Sequence, residues 1–157
     1  MDKVNAIIEY LMQMPYIQDN PLFFNFADAE DNNKQLTTLA NDIAINKPFI
    51  DGSIQKMFTF TIIDFKSVTY NPLVNVPGYS NENVDDMLEV QSIIDWVTTQ
   101  NKIRNFPNFG DKCSIDKIEA LSTEPNLNGV DTSLTPSLAK YSVSIRVTYV
   151  DMTESIL

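Results

Sequence analysis

The side chains that carry most acid-base and transition-metal chemistry are nearly absent from this chain: its 157 residues include no histidine, and Cys113 is the single cysteine. Histidine is the side chain that titrates near neutrality and, with cysteine, the main ligand of zinc-type metals, so most proton-transfer and metal chemistry is excluded. No glycine-rich phosphate cradle occurs either. What remains is carboxylate. Asp85/Asp86 and Asp28/Glu30/Asp31 offer oxygen donors of the kind that hold calcium or magnesium. The same residues also suit a helix N-terminus and a solvated turn, and that plainer role is the expectation. Cys113 follows Lys112, which could depress its thiol pKa. With no histidine to serve as its base, a spectator thiol is expected. A carboxylate pair could in principle perform acid-base hydrolysis, but none lies in a recognisable signature. The chain is therefore expected not to be an enzyme, with no catalytic residue, no cofactor and no metal.

Recognition is the other chemistry on offer. Trp96, Phe106 and Phe109 are aromatics of the type that dominates interface energetics, with core packing as the competing role. Arg146 stands among Ser and Thr on the polar side of a strand. It is placed either to meet an acidic group of another subunit or to form an ion pair within the chain.

The elements that must position these residues are legible to different degrees. From Tyr141 to Tyr149 every odd residue is apolar or aromatic and the even ones are Ser, Ser, Arg and Thr, the period-two pattern of a strand with one buried face. Phe58, Phe60 and Ile62 share one face of a second strand, after a turn at Asp51-Gly52-Ser53. The alternation slips at Ile62-Ile63 and Phe65 falls on the other parity, so a bulge or bend is expected there. Val4, Ile7, Ile8, Leu11 and Met12 form a helical stripe over about residues 3–14, with Asp2 as cap and Pro15 as stop. A second helix is expected over about 84–101, capped by Asn83, with Val84, Met87, Leu88, Ile94 and Val97 facing inward and Val90, Ile93 and Trp96 widening the stripe. Leu22–Phe26 and Gln35–Leu39 read as a hairpin around the acidic 28–33 turn, although Leu36, Leu39, Ala40 and Ile43 also fit helical spacing. Ile115–Leu121 is a weak strand. Residues 71–83 and 123–139, rich in Pro, Gly, Asn and Ser, read as long loops. The expected fold class is α+β: a mainly antiparallel sheet of about four to five strands flanked by two helices, in one domain over 1–157.

Composition limits the partners. Eleven basic against 21 acidic residues leave a formal charge of −10, a surface that repels phosphate backbones. Apolar residues are spread throughout, so the acidity is a solvated coat rather than a sign of disorder. No apolar run approaches the roughly 18 residues needed to cross a bilayer, so no membrane role is expected. The first residues, MDKVNAIIEY, lack a long apolar run and a small-residue cleavage site, and a reducing cytoplasm is the expected compartment.

In order along the chain, Phe49-Ile50-Asp51-Gly52-Ser53, the Phe58-Thr59-Phe60 strand, Ile94-Asp95-Trp96-Val97-Thr98-Thr99-Gln100-Asn101-Lys102, Phe106-Pro107, Ile118-Glu119 and Ala139 to Tyr149 resemble the minor capsid and tail-terminator-like proteins of tailed bacteriophages. The resemblance spans about residues 48–152; Leu22 to Asn46 matches it poorly, and the loop after the Phe-Thr-Phe strand is longer here. It implies a structural virion protein at the head-proximal end of a phage tail or tail-like particle. Such a protein assembles in the host bacterial cytoplasm as a homo-oligomeric, commonly hexameric ring that ends tube growth and joins tail to neck. The implied partners are the tail tube, sheath or neck/connector proteins, with DNA passing an acidic channel without specific binding. A cyclic ring needs two different contact patches on each subunit. The candidates are the helix face near Trp96, the 71–83 connection with Val76, Pro77 and Tyr79, and the 123–139 loop with Leu134, together with Phe106, Phe109 and Arg146. A competing class is a compact acidic inhibitor that imitates DNA, which would gather its carboxylates on one face and remain monomeric or dimeric.

Overall fold

A computed structural model describes residues 2–18, 22–38, 47–70 and 81–153. It is an α+β fold in which, among the described residues, one mixed sheet of seven strands carries three helices. In chain order the elements are α1 (Lys3–Leu11), α2 (Pro15–Gln18), β1 (Leu22–Phe24), β2 (Lys34–Thr38), β3 (Lys47–Pro48), β4 (Ile54–Ser67), α3 (Glu82–Ile103), β5 (Cys113–Ala120), β6 (Asn126–Asp131) and β7 (Leu138–Asp151). The sheet order is β1-β2-β4-β7-β5, with β3 also on β4 and β6 also on β7.

The two 14-residue strands β4 and β7 run antiparallel in unbroken register from Ile54 opposite Asp151 to Ser67 opposite Leu138. Each is flanked on its other side by two short strands end to end: β3 and β2 along β4, β5 and β6 along β7. The alternation of both long strands turns Phe60, Ile62, Val143, Ile145 and Val147 toward the helices, all of them buried. These side chains meet Ala6, Ile7, Tyr10 and Leu11 of α1 and Val90, Ile93, Ile94 and Val97 of α3 in one core.

Several expectations from the sequence are corrected. The expected bulge at Ile62-Ile63 does not exist: the pairing passes through Ile62/Val143 and Ile63/Ser142 without a shift, so Asp64 and Lys66 take the inward positions. The breaks in pairing lie elsewhere, between Ile115 and Lys117 and between Leu127 and Gly129. Leu22–Phe24 and Lys34–Thr38 do form strands, but they pair in parallel and so are not a hairpin. The path between them turns through left-handed Asn25 and Asn32. Residues 39–46 lie outside the described residues. The 123–139 stretch is not one loop, since β6 pairs with the first half of β7.

The helices also differ in detail. α1 ends at Leu11, and Pro15 opens α2 rather than closing α1, as suits a residue with no N–H to donate. In α3 the cap is Asn81, whose Oδ1 accepts from the N–H groups of Asn83 and Val84 at 3.0 and 3.4 Å. Asn83 is occupied elsewhere: its side chain accepts from Thr69 N and donates to Thr69 O, tying the helix start to the chain two residues past β4. Val84 and Leu88 are exposed, and the buried stripe begins one turn later at Val90 and runs to Gln100. Arg104, in left-handed conformation, ends the helix. Because an N-cap oxygen satisfies otherwise orphaned donors, Asn81→Ala is expected to lower stability by about 1 kcal/mol in urea denaturation, with the β4–β7 sheet retained by circular dichroism.

Candidate functional site

The continuation of the inward register past Ile62 places charge where the core pattern calls for apolar side chains. Asp64 faces inward on β4, and its register partner on β2 is Lys34. Both side chains are fully buried, with Lys34 Nζ 3.6 Å from Asp64 Oδ1. Burying an ion pair is costly unless the remaining hydrogen-bonding capacity is used. Here Tyr16 of α2 donates to Asp64 Oδ2 at 2.6 Å, the length of a charge-assisted bond. Lys34 also donates to the carbonyl of Asn32 at 2.9 Å, while its ammonium stands 4.2 Å from the centre of the Tyr16 ring.

Lys66, two residues further along β4 and also buried, extends the network to α3. Its ammonium donates to Asn32 Oδ1 and to Glu89 Oε2, each at 2.6 Å, and lies 5.3 Å from the centre of the Tyr16 ring. Glu89 is half exposed, so the chain of charges runs from the core to solvent. Burial pushes Asp64 up and Lys34 down from their ordinary values, each partly restored by the charge of the other. Burial also pushes the Tyr16 phenol upward, reinforced by Asp64, so it remains a donor. The cluster pins α2, the 28–33 turn, β2, β4 and α3 together. The Lys34 and Asp64 side chains are sealed from solvent.

Beside the cluster, a cavity of about 240 Å³ opens between the start of α3 and β6, lined by Lys66, Asn83, Asp86, Leu127, Val130 and Tyr141 among others. Asp86 is pushed up to about 6, first by burial, against the pull of Lys66 and with the help of Asp31, Glu89 and Glu82. Burial, then Asp86, also raises Tyr141. A second, larger groove of about 490 Å³ lies at the β5 edge of the sheet, between α3 and the run from Ile118 to Thr123. Two hydrogen bonds span it: Ile118 N to Asn101 Oδ1 at 3.0 Å and Gln91 Nε2 to the Thr123 carbonyl at 3.1 Å. At the opposite edge, beyond β2, Phe23, Phe24 and Phe26 are exposed, Phe26 to 86%.

The residues singled out in the sequence are scattered over this framework. Trp96 is half-buried, its ring 5.0 Å from that of Tyr10 across the α1–α3 contact. Phe109 is buried, edge-on to Phe58 and Tyr149, and so presents no surface to a partner. Phe106 is half-buried under the Arg104 guanidinium, 5.0 Å from its ring centre. Leu134 is half-buried in the turn before β7. Arg146 lies on the sheet face away from the helices, its Nε 3.4 Å from Thr59 Oγ1, and none of the four ion pairs among the described residues includes it. Val76, Pro77 and Tyr79 lie outside the described residues. Burial, followed by Asp151, pushes the Cys113 thiol upward, opposite to the shift that Lys112 suggested. Asp31 binds the backbone N of Ser67 at 2.7 Å, and Asp28 uses its carbonyl to hold Asn33.

Tyr16, Lys34, Asp64, Lys66 and Glu89 were not anticipated. The signal was present in β4, where reading the alternation straight through Ile62 puts Asp64 and Lys66 on the core side. No protein-family model matches the chain, and no curated protein matches it.

Two outcomes follow for the cluster. Lys34→Met leaves the Asp64 charge buried and unpaired, which typically costs about 3–5 kcal/mol, whereas Lys34→Met with Asp64→Leu is expected to recover most of that loss in equilibrium denaturation. Asp86 titrates higher in the folded chain than in the unfolded one, so its contribution is complete below pH 3.8 and is lost as pH rises through about 6. Asp86→Asn is therefore expected to raise the urea midpoint at pH 7 and to leave no gain at the acid end of that window.

Proposed function

We propose that this chain is a structural virion protein of the tail-terminator-like, minor-capsid kind, forming a homo-oligomeric ring at the head-proximal end of a phage tail or tail-like particle. The ring ends tube growth and joins the tail to the neck, and no substrate is turned over. The observation that carries this reading is the placement of exposed apolar surface at two opposite edges of one sheet. Phe23, Phe24 and Phe26 stand at the β1 edge, and Leu121, Leu127 and Val130 stand at the β5/β6 edge. Rotational rings are closed by heterologous contacts, one patch against a different patch on the next copy. A dimeric inhibitor would call for a single self-complementary patch instead.

The architecture is compatible with this role. The five-strand path β1-β2-β4-β7-β5, antiparallel apart from β1–β2 and packed under α1 and α3, fits the mainly antiparallel, helix-flanked sheet expected from the sequence. The acidic coat gives a channel that DNA passes without adhering, through like-charge repulsion. The partners are the tail tube and the sheath or neck proteins, and the hexamer is the stoichiometry we favour.

Purified protein is expected to elute as a multimer by sizing with light scattering and to give annular particles in negative stain. Material that stays monomeric at every concentration, ignores isolated tail tubes and hydrolyses or transfers a group on a small molecule would end this reading.

A further inference from the structure

We infer that the Leu22–Phe26 edge of one copy docks into the groove between α3 and β5 of the next. The inference rests on the ring reading and names its subunit contact. Three observations join these two surfaces.

The first is charge. A chain with a net charge of −10 repels its own copies over most of its surface. Contact is favoured where carboxylates are missing. Leu22 to Ala27 is an uncharged run, LFFNFA, and the groove offers Ile94, Ile118, Ala120 and Leu121 among polar side chains. Asp95 and Glu119 also line the groove, but an uncharged segment brings no carboxylate against them.

The second is shape and area. The groove holds about 490 Å³, and its two spanning hydrogen bonds, Asn101 to Ile118 and Gln91 to Thr123, fix the separation of its walls. A buried phenylalanine removes roughly 150–250 Å² from water. With Phe26 exposed to 86%, Phe24 to 44% and Phe23 to 41%, the segment offers on the order of 300 Å² of aromatic surface, less than half of the roughly 800 Å² per partner in a stable contact, the rest falling to the surface around it.

The third is the backbone. Leu121 N donates to Ser144 O of β7, so by alternation Ile118 and Ala120 turn their N–H groups away from β7; Asn101 Oδ1 already takes that of Ile118, and Ala120 is the next such group along the strand. β1 is the last strand at its own end of the sheet order. An extended edge strand meeting an open edge strand is a recurring recognition mode, in which main-chain bonds supply affinity and side-chain pockets supply specificity. Among the described residues β1 pairs on one side only, with β2, and its other side is the one that meets the neighbouring copy.

The test uses one variant on each surface of the full chain. Phe26→Asp removes the inserted group and leaves the groove intact, and Leu121→Asp does the reverse. Both sites are exposed, and circular dichroism with thermal denaturation checks that each variant folds; Phe26→Ser and Leu121→Ser replace any variant that does not. Wild type is expected to form rings, each variant alone to run as monomer, and an equimolar mixture to stop at a dimer, because only one competent contact exists between the two. If wild type and both variants form rings alike, the ring reading stands and this contact is overturned. If the variants are monomeric but their mixture yields no dimer, the contact is likewise overturned. If wild type is itself monomeric throughout, the ring reading fails and the contact with it.

Discussion

The fourteen-pair register between β4 and β7 is the constraint on which the rest of this structure depends. Side chains alternate across a strand, so a slip of one residue would exchange the two faces completely. In the observed register Phe60 lies beside Ile145 and Ile62 beside Val143, and this four-residue block is the floor on which α1 and α3 rest. The same register carries Asp64 and Lys66 inward, and it sets where the flanking short strands attach. Both the core and the buried charges are consequences of one pairing. The two open ends of the sheet follow from it as well, since β2/β3 and β5/β6 occupy the only remaining sides of the central pair.

The buried ions add a second lock on that register. Replacing an ion pair by apolar residues of similar volume is often neutral or stabilising, so Lys34 and Asp64 are poorly explained by stability alone. Their positions suit specificity. Lys34 and Asp64 are direct partners across β2 and β4, and shifting β2 by one residue would set Gln35 opposite Asp64, turn Lys34 to the other face and leave the Asp64 charge in the core without its partner. For a short strand with only five residues of pairing, the apolar pattern of Leu36 alone would specify register weakly. Tyr16 couples this lock to α2 through its hydroxyl and through the two ammonium groups near its ring, and Lys66 carries it to α3.

What could be read from the sequence tracks the range of the interactions involved. β7 was legible because one strand face is buried along its whole length, and β4 was legible up to Ile62 for the same reason. Beyond Ile62 the pattern appeared to break, because Asp64 and Lys66 are polar by type but core by position, and only the distant Lys34, Tyr16 and Glu89 make that possible. Period-based reasoning reads residue types, so it inserted a bulge where the chain is regular. α3 was found from its periodicity, yet its cap was misplaced by two residues, since both Asn81 and Asn83 suit a cap and the choice is made by Thr69, two residues past β4. β6 was hidden because Asn126-Leu127-Asn128-Gly129 has the composition of a turn. Its strand geometry comes from pairing with Ser142 to Leu138 of β7 rather than from local preference. The parallel pairing of β1 with β2 was likewise invisible, as direction is set by how the 25–33 segment folds back rather than by either strand.

Charge distribution links fold to assembly. The outward surface of α3 carries Glu82, Asp85, Glu89 and Asp95, all exposed, whereas the β1 edge from Leu22 to Ala27 carries no charge. Like charges at close range are penalised more steeply than apolar surface left in water, so the approach of two copies is governed first by where carboxylates are absent. Screening by salt weakens the repulsion over the exposed α3 surface but leaves the apolar contact intact. If copies meet as proposed, their association is expected to become easier as ionic strength rises, the reverse of an assembly held by surface ion pairs. That opposite sign separates such an uncharged edge-to-edge joint from one stitched together by groups such as Arg146, whose Nε lies 3.4 Å from Thr59 Oγ1 within its own sheet.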